Sequence, residues 1–104
     1  MKFNVSGSQI RAVRGALGLD GAQFAAVLAV HPGTIRRWEA HHDQLVAVDG
    51  VAAEILERLI EEVESASEQR ARRVGEEIAR ALLVGTAAAG LFVLLKWLLD
   101  APED

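Results

Sequence analysis

The sequence predicts an all-α chain, a four-helix unit followed by a long C-terminal helix that becomes hydrophobic in its second half. Three observations lead there. Through residues 1–64 apolar side chains recur three and four positions apart, the spacing that lines one face of a helix. Between Leu19 and Glu39 two such faces, Phe24-Ala25-Leu28 and Ile35-Trp38, are separated only by Ala29 to His31. That connection is too short for a free loop, so the two helices must meet steeply over a shared core as a helix-turn-helix. Finally, Ala81 to Leu99 has only Thr86 and Lys96 as polar side chains.

Taken in order, Lys2 to Gly7 is short and polar and reads as an arm, with Ser6 or Ser8 capping helix 1. Helix 1 carries Ile10, Val13 and Leu17 on one face and stops at Gly18. Asp20 has the side chain to cap helix 2. Pro32 sits where a helix tolerates proline, in its first turn, which starts helix 3 beside His31 and carries it to about Ala40. His41 to Val48 reads as irregular. Helix 4 opens near Asp49 and is amphipathic, with Ala52, Ile55, Leu56, Leu59, Ile60 and Val63 opposite Glu54, Glu57, Glu61 and Glu62. Ser65 to Ser67 breaks or softens it.

The expected divisions are a helix-turn-helix domain over 1–64, a charged helical linker over 65–80, a hydrophobic helix over 81–99 and an acidic tail over 100–104. Nineteen helical residues rise about 28 Å, close to the hydrocarbon thickness of a bilayer. Seven Leu, two Val and Phe92 favour insertion by roughly 3 to 6 kcal/mol, offset in part by Lys96, Thr86 and two glycines. Arginines upstream and acids downstream orient such a span with the N-terminal domain cytoplasmic and the C-terminus outside the inner membrane. The other reading is a buried oligomerisation helix in a homo-oligomer, where small residues allow close contact. Leu82, Leu83, Gly85, Gly90, Phe92, Leu95 and Trp97 are the residues expected to face lipid or a second helix.

Charge is unevenly spread. The net value is −4, yet residues 1–44 hold five Lys and Arg against three acids, whereas residues 45–80 hold five Arg against nine acids. Any phosphate contact is therefore expected at the N-terminal end. There is no cysteine, which excludes disulfides and thiol chemistry. His31, His41 and His42 form no helical His-x-x-x-His pair and read as exposed or capping groups, so no metal is expected. Neither a Gly-rich phosphate loop nor a nucleophile elbow is present, and no enzyme or cofactor is expected.

Arg14, Leu19, Asp20, Ala25, Val30 and the run Thr34-Ile35-Arg36-Arg37-Trp38-Glu39 together resemble the Cro/C1-type, or XRE, helix-turn-helix DNA-binding domains. The resemblance covers about residues 8 to 64. It implies that helix 3 enters the major groove of double-stranded DNA, with Arg37 at a base-reading position and Arg36 beside it. Gln23, Gly33 and Thr34 would contact phosphate. It also implies that Arg14 and Glu39 pair across helices 1 and 3. The chain departs from the family pattern at three places. Gly21 stands where the family often has Gln, and Ala29 stands at a turn position often held by Gly, costing about 1 kcal/mol if the turn is left-handed. Pro32 and Gly33 open helix 3, which leaves readout to Arg36, Arg37 and His31.

Two functions follow. One is a DNA-binding transcriptional regulator or DNA-tethering factor, held at a membrane or assembled through its C-terminal helix. The other is a scaffold whose helix-turn-helix binds a cytoskeletal or envelope protein, since the layout is also similar to that of the RodZ cell-shape family.

Overall fold

The computed structural model describes residues 2–85 and 87–99. Among them are two short strands and six helices: β1 (Lys2–Ser6), α1 (Gly7–Leu17), α2 (Gly21–Leu28), α3 (Pro32–Glu39), β2 (Leu45–Asp49), α4 (Gly50–Ser65), α5 (Glu68–Val84) and α6 (Ala87–Leu99). The expected all-α layout of four helices and one long helix is corrected at two points, the strands and the C-terminal segment.

The N-terminal arm and the stretch expected to be irregular pair as an antiparallel ribbon, with Phe3 opposite Val48 and Val5 opposite Val46. Alternation sorts the side chains. Val5 and Val48 are buried and Phe3 packs against the core, while Lys2, Asn4, Leu45 and Ala47 face outward. A two-stranded ribbon is marginal in water by itself. Here α4 covers its inner face.

Local chemistry sets the helix starts. Ser6 and Gln9 form a reciprocal capping box at α1, and Asp20 and Gln23 form another at α2. Gly18 ends α1 in the left-handed conformation at φ 70°. Ser67 caps α5 through the Arg70 amide, just after α4 ends at Ser65. Asp49 precedes α4 but makes no side-chain capping bond.

One core runs through the whole described chain. Ile10, Leu17, Phe24, Leu28, Ile35, Leu56, Leu59, Ile78 and Leu94 are among its fully buried members, so α5 and α6 belong to it as much as α1 to α4. Trp38 is half-buried against this core. Helix α5 crosses α1 where Gly75 meets the Leu17 carbonyl, an approach that leaves no room for a methyl group.

The long C-terminal helix does not form. Helix α5 stops at Val84, Gly85 caps it, and α6 folds back to pack on α5, α2 and α4. At the crossing, Gly90 lies against Leu82 and Ile78. Continuing the helix through Gly85 would keep a few backbone hydrogen bonds, each worth about 1 kcal/mol net, against a glycine cost of about 1 kcal/mol. Folding back instead buries Leu94, Trp97 and Leu98, at roughly 1.5–3 kcal/mol per large apolar side chain. Burial wins. Among the described residues no helix is long and apolar enough to cross a membrane, α6 itself having 13 residues. The acidic tail over 100–104 and Thr86 lie outside the described residues.

Candidate nucleic-acid interface

The geometry around α3 begins in the turn before it. Ala29 caps α2 in the left-handed conformation, φ 58° and ψ 41°, and the Val30 amide donates to the Ala25 carbonyl at 3.0 Å. This single alanine redirects the chain within three residues. His31 then sits at the N-cap of α3, its Nδ1 accepting from the Gly33 amide at 2.9 Å. Pro32 occupies the first helical turn, where its missing N–H leaves no helical bond unmade.

On α3, Ile35 is buried while Arg36 and Arg37 are exposed. Gly33, Arg36, Arg37 and Ala40 recur at helical spacing on the opposite side from Ile35, and with His31 and Thr34 they line a shallow open concavity. The Arg37 guanidinium donates to Thr34 Oγ1 at 3.1 Å through Nη2. Arg36 stands between this concavity and a second shallow one that reaches Arg14, Asp20 and Glu39.

Behind this face lies a two-pronged ion pair. Arg14 donates from Nε and Nη2 to the two carboxylate oxygens of Glu39, at 2.7 and 2.8 Å, and from Nη1 to the Leu19 carbonyl at 3.1 Å. The two side chains are 22% and 15% exposed. The bond to Glu39 holds the Arg14 guanidinium above its ordinary pKa, against the opposing effect of partial burial. Three elements are tied at once: α1, the segment leading into α2, and the last turn of α3. The segment just past this same end of α3 is tied to α1 as well, since the Ser8 amide donates to the His42 carbonyl and Ser8 Oγ to Asp43. Gly7 packs so tightly under the Trp38 carbonyl that a methyl group there would overlap it.

Of the residues singled out from sequence for DNA, His31, Gly33, Thr34, Arg36 and Arg37 lie together on this one surface. Gln23 does not line it. Its side-chain oxygen accepts from the Asp20 amide at 2.9 Å and is committed to capping α2. Ala40 completes the concavity and was missed, though its place one turn beyond Arg36 and Arg37 is legible in the helical spacing. The residues expected to face lipid or a second helix are divided by the hairpin. Gly90 and Trp97 turn inward and Leu82 is half-buried, whereas Leu83, Phe92 and Leu95 face out and Gly85 caps α5. The Trp97 ring lies 5.8 Å from the Arg70 guanidinium. Among the described residues no cluster of His, Asp and Glu could hold a metal ion.

No family model, curated protein or solved structure matches this chain.

Proposed function

We propose that this chain is a DNA-binding protein that lays α3 against duplex DNA, acting as a transcriptional regulator or a DNA-tethering factor. One observation carries the reading: Arg36 and Arg37 project side by side from the exposed face of a helix whose other face is buried at Ile35, whose start is capped by His31 and whose last turn is tied to α1. A short helix fixed in this way presents its guanidinium groups at low ordering cost. An arginine can bridge guanine O6 and N7 in the major groove, a contact worth about 1–3 kcal/mol of discrimination. The bond that Arg37 donates to Thr34 Oγ1 holds its guanidinium along the helix. The XRE-like run of residues 34–39 supports the same assignment. With two arginines on the face, affinity for any one half-site is modest.

The test uses the full chain, because α5 and α6 contribute to the core. Binding to a random-sequence duplex pool is measured at two salt concentrations, followed by selection of bound sequences. The proposal expects salt-dependent binding. Arg36→Ala should lower the salt slope by about one phosphate equivalent, and Arg37→Ala should weaken binding about 5- to 150-fold while relaxing the selected sequence. Absence of salt-dependent binding, or binding unchanged in the double variant, refutes it.

A further inference from the structure

Helix α6 is apolar on both sides. Leu94, Trp97 and Leu98 face the core, at 0%, 8% and 5% exposure, whereas Phe92, Leu95 and Leu99 line the outer side at 69%, 40% and 78%. The outer stripe continues onto α4 through Val51, itself 65% exposed, and a groove of about 300 Å³ runs between the two helices. An outward stripe of this kind on a small domain marks a contact surface.

We infer that this α6–α4 face is where two copies of the chain pair. The charges at its margins select the occupant. On the α4 side the groove is flanked by Glu54 and Arg58, one helical turn apart. On the α5 side the stripe is flanked by Glu77 and Lys96. Among the described lining residues each margin thus mixes an acid with a base. A lipid surface or a nucleic acid would call for a basic excess. A rim of alternating sign suits a partner with the same alternation. A two-fold axis crossing α4 sets Glu54 of each copy against Arg58 of the other, so that one patch is its own complement. The pairing also leaves the arginine face free. Helix α2 packs between α3 and α6, and α3 packs on α1 and α2.

Sedimentation velocity of the full chain without DNA, from micromolar to millimolar concentration, tests the inference. It should show a reversible equilibrium between an 11.2 kDa monomer and its dimer. Leu95→Glu and Leu99→Glu should each raise the dissociation constant at least about tenfold, with helical circular dichroism unchanged. Glu54→Arg and Arg58→Glu should each weaken self-association, and mixing the two variants should restore it, because only the mixed pair has opposite charges throughout. A chain monomeric at every concentration, a dimer indifferent to both leucine substitutions, or a mixture that fails to recover overturns the inference. So does a chain that is monomeric in buffer yet sediments with phosphatidylcholine–phosphatidylglycerol vesicles, an outcome that assigns the stripe to lipid. None of these outcomes bears on whether Arg36 and Arg37 bind DNA.

Discussion

Arg14 and Glu39, 25 positions apart in sequence, meet through two parallel hydrogen bonds of 2.7 and 2.8 Å and so tie α1 to the last turn of α3. Because both side chains are mostly shielded from water, losing one partner leaves the other charge poorly solvated. Glu39→Ala is expected to cost about 1–3 kcal/mol in urea unfolding. The double variant Arg14→Met/Glu39→Leu should recover much of that, since removing both charges removes the desolvation penalty as well. If α3 is the DNA-contacting element, Glu39→Ala should also weaken binding without touching DNA.

Ala29 adopts a left-handed conformation that alanine enters at a cost. Ala29→Gly should therefore stabilise the fold by about 0.5–1 kcal/mol, the relief of strain being partly offset by the greater freedom of glycine in the unfolded chain. An increase in the urea midpoint with an unchanged slope is the signature. A decrease would mean that the Ala29 methyl makes packing contacts that outweigh its backbone strain.

Gly75 faces the opposite demand. Its backbone is helical, where alanine is intrinsically preferred by about 1 kcal/mol, yet a methyl group there would overlap the Leu17 carbonyl. Gly75→Ala is expected to destabilise by about 1–3 kcal/mol, because α5 must lift away from α1. Gly15→Ala is the control. Its added methyl group meets nothing within 4 Å, so the same substitution should stabilise slightly.

The folded-back position of α6 is tested by two of its residues. Leu94 is fully buried and Phe92 is 69% exposed. Leu94→Ala should cost about 2–5 kcal/mol. Phe92→Ala, measured at concentrations where the chain is monomeric, should change stability by no more than about 0.5 kcal/mol. Equal effects at the two positions would contradict the packing of α6 against the body.

Much of the first half was legible because its signals are local. Ser6, Asp20, Pro32 and Gly18 act on backbone groups within four residues, and the three-and-four spacing of Ile10, Val13 and Leu17 marks the face that the core covers. The exposed cluster His31, Gly33, Thr34, Arg36 and Arg37 follows from that same periodicity once Ile35 is known to point inward. The ribbon was not legible in this way. Lys2–Ser6 and Leu45–Asp49 are each five residues long and find one another across some forty positions, so neither carries a pattern strong enough to stand out. The part Gln23 plays in the α2 capping box was not read from the sequence either, because it depends on its side-chain oxygen accepting from the Asp20 amide.

By itself the sequence determined where most helices begin and end, which sides of them are apolar, and that two adjacent arginines stand opposite a buried isoleucine. These are consequences of backbone capping and of a 3.6-residue period, which act within a few positions of the chain. The tertiary structure alone decided the fate of residues 81–99. Their composition suits lipid, a helical bundle and a protein core alike, because an apolar side chain gains by leaving water whatever receives it. Gly85 permits the chain to stop, and α2, α4 and α5 offer a surface within reach. Leu94, Trp97 and Leu98 take that surface, while Phe92, Leu95 and Leu99 are left facing outward.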